Sequence, residues 1–224
     1  MSRSYCYPYP HPAITTDVVV FSIQAQRLQV LLIRRRQPPY QGMWALPGGF
    51  LNIDEDLETC ARRELEEETG IRDVFLEQLY TFGKPERDPR ERVVSVVYYA
   101  LAPFDRLDPV AASDADAARW FPLDALPTLA FDHEQVIQVA HQRLMAKLHY
   151  STLAFQLLPE TFTLSELQGV YEAVLQTPLD KRNFRRKILG LGRLKQTGEL
   201  RRNGRHRPAR VFRLEHPEQV EFIR

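Results

Sequence analysis

Between Gly48 and Ile71 the chain reads GGFLNIDEDLETCARRELEEETGI: a glycine pair, a polar stretch, then Glu64, Glu66, Glu67 and Glu68 within five positions. Leu57, Cys60, Ala61 and Leu65 recur at helical spacing. Gly70 supplies a left-handed stop, so the spacing predicts a helix over Asp54 to Thr69. Positions i, i+3 and i+4 share a helix face, which sends Glu64, Glu67 and Glu68 out together and Glu66 elsewhere. Carboxylates crowded on one face repel one another. Either water solvates them or a cation sits among them. Hard divalent cations take oxygen ligands and also bind substrate phosphates. Gly48 and Gly49 let the backbone pass close by, and Gly48 can offer a carbonyl to the same ion.

The flanking sequence is β-rich. AITTDVVVFSI and LQVLLIRRR read as a hairpin or neighbouring strands across a polar link at Gln24 to Arg27. MWALPGGF reads as a short strand ending in a turn, and RVVSVVYYALA as another strand. ARWFPLDALP reads as a strand and a turn. GKPERDPRE is a polar loop. Asp132 is placed to cap a helix, HEQVIQVAHQRLMAKL. These elements make a mixed α/β module over residues 1–150. The second module spans 151–224. Thr163 or Ser165 caps one helix, ELQGVYEAVL, and Asp180 caps the next, KRNFRRKILGLG. Two strands then flank Asn203-Gly204, a strong hairpin signal. Helix, turn, helix, hairpin is the order of a winged helix-turn-helix.

Charge is divided between the modules. From Lys181 to Arg213 there are thirteen Lys or Arg and one acid, Glu199, in a chain whose net charge is only +1. Such a cluster is rewarded by the phosphate backbone of double-stranded DNA through counterion release. The candidate DNA contacts on the second helix are Lys181, Arg182, Asn183, Arg185, Arg186 and Lys187. Arg182, Asn183 and Arg186 are placed to reach base edges. The candidates on the hairpin are Arg201, Arg202, Arg205, His206 and Arg207. A basic protein-contact surface is the competing reading. Cys6 and Cys60 have no metal-ligand spacing, and VVVFSI and VVSVVYYALA are too short to span a bilayer. The expectation is a cytoplasmic protein with no membrane partner.

The spacing Gly49, Glu55, Arg63-Glu64-Leu65, Glu67-Glu68, Gly70-Ile71 resembles the complete Nudix box. The resemblance extends over about residues 12–150. It implies a Nudix α/β/α sandwich whose strand-loop-helix binds Mg²⁺ or Mn²⁺. It makes Gly48, Glu64, Glu67 and Glu68 the metal-ligand candidates. It places Glu55, Arg63, Glu64, Glu67 and Glu68 in the catalytic apparatus, with Arg63 orienting the carboxylates and Glu55 bracing the loop. Such enzymes cleave nucleoside diphosphates linked to another group. A later loop often supplies a general base, for which Glu86 and Glu91 are available. Arg87, Arg90 and Arg92 of that loop are candidates for gripping phosphate or ribose. RRRQPPYQGMWALPGGFLNIDEDLE, LYTFGKPERDPRERVVSVVYYAL and LAFDHEQVI are similar to ADP-ribose-type Nudix domains.

With FTLSELQGVYEAVLQTPLDKRNFRRKILGLGRL and GRHRPARVFRL added, nearly the whole chain resembles the Nudix-related transcriptional regulators of the NrtR family. That resemblance implies a homodimeric repressor of NAD-metabolism genes. It would read a two-fold operator and sense ADP-ribose or a related nucleotide through its Nudix domain. Many family members bind without hydrolysing, whereas the box here is intact. An active ADP-ribose pyrophosphatase with a basic accessory domain is therefore the second reading.

Overall fold

The computed structural model describes residues 7–104, 115–202, 208–217 and 219–222. Strand β1 (Ala13–Gln24) forms a hairpin with β2 (Arg27–Arg35). The short strands β3 (Trp44–Ala45) and β4 (Gly48–Phe50) follow. MWALPGGF is thus two strands, β3 pairing with β2 and β4 with β1. Next come helix α1 (Leu57–Thr69), β5 (Phe75–Phe82), β6 (Val93–Leu101), β7 (Ala115–Pro122) and helix α2 (His133–Leu148). The main path of the sheet is β3-β2-β1-β6-β5. β4 is added on β1 and β7 on β2. β1 and β6 run parallel, and the other pairs antiparallel.

Side-chain alternation builds the sandwich. On β1, Val18 and Val20 face α1 with Val96, Tyr98 and Ala100 of β6 and Ala61 and Leu65 of the helix. Val19 and Phe21 join Val97 and Tyr99 and the α2 residues Val136, Ile137, Ala140 and Leu144. A strand of period two sandwiched between layers is apolar on both faces, which is why β1 and β6 read as nearly continuous apolar runs.

Helix α1 starts later than the spacing predicts. Asp56 accepts a hydrogen bond from the Thr59 N–H at 2.8 Å and is the N-cap, so Asp54 and Glu55 stay in the loop. Gly70 closes the helix in the left-handed conformation. Asp132 precedes α2 but makes no side-chain cap. Its carboxylate accepts two hydrogen bonds from Arg87 instead.

A buried 3-10 turn, Leu153–Leu157, leads into the second half. There β8 (Thr161–Thr163), α3 (Leu164–Leu175), α4 (Lys181–Gly190), β9 (Leu194–Arg201) and β10 (Ala209–Leu214) form a winged helix, its sheet ordered β8-β10-β9. Thr163 and Glu166 complete a reciprocal capping box on α3, and Asp180 caps α4. The three-residue β8 was not foreseen. The Asn203-Gly204 turn lies outside the described residues. Leu167, Val170, Phe184, Ile188 and Phe212 belong to the same buried cluster as Val19, Phe21 and Ile137. His141 on α2 also lies 2.8 Å from the Val174 carbonyl oxygen of α3, to which its Nε2 donates. The two halves therefore share one core. Among the described residues no helix is long and apolar enough to cross a membrane.

Candidate functional site

β1, β4, the start of α2 and the loop after β5 enclose a cavity of about 370 Å³, with Gly48, Gly49, Glu64 and Glu68 on one wall and Arg35, Arg90 and Phe131 also lining it. The antiparallel pairing of Asp17 with Gly48 brings β4 onto β1, and α1 packs against β4 immediately after. Gly48 donates its N–H to Glu68 Oε2 at 2.8 Å. Glu64 lies against Gly49 so closely that any Cβ there would overlap its carboxylate.

Arg63 organises the acids. It donates to Glu55 at 2.6 and 2.9 Å, to Glu64 at 2.7 Å and to Glu67 at 3.1 Å. Glu55 also accepts the Asn52 N–H at 2.8 Å. The bonds from Arg63, and then from Asn52, hold the Glu55 carboxyl down at about 2. Glu68 has the opposite environment. Burial, with Glu64 and Asp17 nearby, pushes it up to about 8 against the pull of the Gly48 N–H. Burial also raises Glu64 despite Arg63. Glu67 has a half-exposed side chain turned to Arg63, while Glu66 pairs with Arg72 outside. Among the described residues, no three His, Cys, Asp or Glu side chains are gathered as a metal site. What is present is a buried carboxylate, Glu68, with the half-buried Glu64 near enough to raise its pKa, beside a glycine cradle. That donor set fits a hard divalent cation completed by phosphate or water oxygens.

The loop arginines have separate fates. Arg87 is buried and donates to Asp132 at 2.8 and 3.1 Å and to Asp17 at 3.5 Å. Burial works against its charge, but Asp132 and Asp17 outweigh that and raise its pKa. Arg90 donates to Asp88 through its backbone N–H and its guanidinium. Its Cζ lies 5.1 Å from the Phe50 ring centre and 5.8 Å from that of Phe131. Arg92 is exposed, donates to the Val93 carbonyl and does not line the cavity. Glu86 and Glu91 are also exposed and outside it.

Asp17 and Arg35 were missed as contributors to the cavity, whereas His133 entered the sequence reading within LAFDHEQVI, where Phe131-Asp132-His133 could be a helix cap or could shape a ligand. Asp17 accepts from Ser95 at 2.5 Å. His133 accepts the Leu46 N–H on Nδ1 at 2.9 Å, and burial lowers its pKa. Arg35 has its Cζ 4.9 Å from the Phe131 ring centre. The signal for Asp17 was a lone acid inside an apolar strand, since an unpaired buried charge is costly. Nothing local marks Arg35.

In the winged helix, Phe184 and Ile188 bury one side of α4. Lys181, Arg182, Asn183, Arg186 and Lys187 are exposed, and Arg185 is half-buried, its Nε without a hydrogen-bond partner among the described residues. Arg186 donates to Asn183 Oδ1 at 2.9 Å. Arg201 is tied down, donating to Glu166 at 3.1 and 3.3 Å and to Thr161 at 3.0 and 3.2 Å. Arg202 is exposed. Arg205, His206 and Arg207 lie outside the described residues.

Residues 12–140 match the NUDIX domain, and residues 154–214 match the NrtR DNA-binding winged helix domain. The ADPR responsive transcriptional repressor NtrR of Acinetobacter baylyi is 40% identical over 92% of this chain and 83% of its own. The crystal structure of Shewanella oneidensis NrtR complexed with a 27mer DNA superposes with a TM-score of 0.81. It is 39% identical and covers 92% of this chain and 94% of that one. The NUDIX domain of that protein was also solved with ADP ribose (TM-score 0.55, 37% identity, 61% of this chain and 90% of that one). A bifunctional NMN adenylyltransferase/ADP ribose pyrophosphatase of Francisella tularensis, complexed with AMP and Mn ion, matches 61% of this chain and 43% of its own (TM-score 0.50, 27% identity). The fold and site thus define a Nudix domain joined to a DNA-binding winged helix. The chain belongs to the NrtR family of Nudix-related transcriptional regulators.

Proposed function

We propose that the chain is a cytoplasmic DNA-binding repressor of NAD-metabolism genes, released from its operator by ADP-ribose or a related nucleotide in the Nudix cavity. The observation that carries this is the shared core: a cavity lined by buried charges and an exposed basic helix are built on one packed unit. A homodimer would set two α4 helices about 34 Å apart, one DNA turn, or a multiple of it. Lys181, Arg182, Asn183, Arg185, Arg186 and Lys187 would meet the operator, with Arg202, Arg205, His206 and Arg207 on the wing. Arg201, bound to Glu166, would hold the wing in place.

Linkage makes the proposal testable. A ligand that favours the DNA-incompetent state must bind that state more tightly, typically by about 1–3 kcal/mol. ADP-ribose should weaken operator affinity by about 5- to 150-fold, and operator DNA should weaken ADP-ribose by the same factor. Arg186→Ala should weaken the operator complex while leaving ADP-ribose affinity of the free protein alone. The check is a pair of titrations, each ligand with and without the other. Independent affinities would leave two unconnected modules and sink the regulator reading.

Glu64 and Glu68, with the Gly48 carbonyl, would hold Mg²⁺ or Mn²⁺, and Glu67 would join them on leaving Arg63. When bound, the ion would neutralise diphosphate charge. Mn²⁺ should raise the melting temperature of the parent but not that of a Glu64→Gln, Glu68→Gln double variant. Equal rises in both proteins would remove the ion from this site. The retained Glu55–Arg63–Glu64 network favours the second reading, an active ADP-ribose pyrophosphatase, which release of AMP from ADP-ribose would reveal.

A further inference from the structure

The end of α2, the second half of α3 and the first turns of α4 enclose another cavity, of about 410 Å³. None of its lining residues belongs to the Nudix cavity. We propose that it is a second ligand site, for a flat apolar anion, and that its occupant competes with DNA for α4. The site is independent of the nucleotide reading, and only its link to DNA rests on α4 as the recognition helix.

The volume falls in the range of small-molecule sites, about 300–1,000 Å³. The inner part is apolar. Phe184 and Ile188 are buried there, and the half-buried Leu175 and Leu179 form the walls. Of the buried lining residues, Tyr171 alone carries a polar group. It is 5% exposed, and its ring packs T-shaped on Phe184 at 5.2 Å between centres. Among the described residues its hydroxyl has no hydrogen-bond partner. Burial alone acts on that hydroxyl, pushing it up to about 12, so it keeps its proton and can donate. A hydroxyl withdrawn from water and left unpaired is costly. A ligand oxygen would satisfy it, and a flat ring would fill the space between Phe184 and the two leucines.

The mouth is polar. His149, Asp180, Asn183, Arg186 and Lys187 line it and are exposed. Asp180 accepts the Asn183 N–H at 2.8 Å as the cap of α4, and Asn183 Oδ1 accepts from Arg186 at 2.9 Å. Glu172 lies behind Leu179, whose N–H it accepts at 2.8 Å, and does not line the cavity. Two cations therefore face one lining carboxylate. Neither Arg186 nor Lys187 has an ion-pair partner among the described residues. An anionic group on the occupant would sit here, with its ring inside. Asn183, Arg186 and Lys187 are also placed to meet DNA. The occupant and the duplex thus draw on the same side chains.

The probe is para-coumarate, a flat molecule with a hydroxyl at one end and a carboxylate at the other, titrated calorimetrically into the full chain. Cinnamate lacks the hydroxyl, and para-coumaramide lacks the charge. The parent should prefer para-coumarate over cinnamate by about three- to tenfold, the worth of one net hydrogen bond. It should prefer it over para-coumaramide by about two- to fivefold, the worth of an exposed ion pair. Tyr171→Phe should remove the first preference and keep the second. The double variant Arg186→Gln, Lys187→Gln should do the reverse, and its changes are on the surface, so it reports even where the tyrosine variant does not fold. Preferences that survive in both variants mean adventitious binding elsewhere and overturn the site, as does a parent that binds none of the three. Saturating para-coumarate should weaken mixed-sequence duplex DNA at low salt by about fivefold or more, and the duplex should weaken para-coumarate by the same factor. Unchanged DNA affinity overturns the competition. A chain that binds no DNA sinks the regulator reading instead, while the preferences, read without DNA, still decide the site.

Discussion

Leu167→Ala should lower the stability of both halves of the chain together, by about 2–5 kcal/mol. Leu167 lies on α3 of the winged helix and is fully buried. Its cluster runs without a break into Phe21 and Val30 of the Nudix sheet and Ile137 and Leu144 of α2. Removing its isobutyl group loses the transfer energy of the missing carbons and leaves a cavity that a packed core fills only in part. At roughly 2–4 °C per kcal/mol for a chain of this size, the melting temperature should fall by roughly 4–20 °C. The readout is built in. Both tryptophans, Trp44 and Trp120, sit in the Nudix half. Tryptophan fluorescence therefore follows the part of the molecule that was not mutated. It should shift as far as far-UV circular dichroism does. A fluorescence transition that stays put while the dichroism splits in two would mean that the winged helix melts alone and that the continuous core is not cooperative.

How much of this was legible depended on the range of the interaction. Local signals worked. The doubly apolar strands, the period of Leu57, Cys60, Ala61 and Leu65, the Gly70 stop and the Asp180 cap are each written within a few residues. The Nudix spacing is local too. Contacts between distant residues were not legible. Asp132 has the right type and place for an N-cap, yet Arg87, 45 residues earlier, takes its carboxylate. Arg87 and Arg90 look alike in the loop and both line the cavity, and only tertiary partners bury the one and leave the other exposed. Glu64, Glu67 and Glu68 share a helix face by spacing. The sheet and β4 cover only Glu64 and Glu68, and Glu67 is left to Arg63 at the rim. Helical geometry gives the face, while packing decides which part of that face is inside. Arg201 reads as one more wing cation, but two of its hydrogen bonds go to Thr161 on β8, a strand too short to announce itself, and two to Glu166 in the first turn of α3.

Gly48→Ala should be comparably damaging, through the backbone rather than through lost burial. Gly48 holds φ +155°, where side chains with a Cβ rarely sit. A methyl group there would overlap the Thr16 carbonyl oxygen and come within 2.8 Å of Asp17 Cα and 2.9 Å of its Oδ1. Most of these neighbours are backbone atoms of β1, so no side chain can swing aside. Relief requires β4 to move off β1, which would break the Asp17–Gly48 pairing and pull the Gly48 N–H from Glu68. Backbone strain of about 1–3 kcal/mol and overpacking of about 1–3 kcal/mol give a loss of roughly 2–6 kcal/mol. Gly169→Ala is the control. Gly169 lies within α3, and beyond its chain neighbours and its own helix backbone no heavy atom of the described residues comes within 4 Å of the added carbon, so alanine should stabilise there by about 0.5–1 kcal/mol. Opposite signs from the same substitution separate conformational strain from a general effect of adding a methyl group. Thermal melts of the two variants beside the parent measure it. If Gly48→Ala melts at or above the parent temperature, β4 can yield, and Gly48 is not what fixes the strand against β1 or sets the position of Glu68.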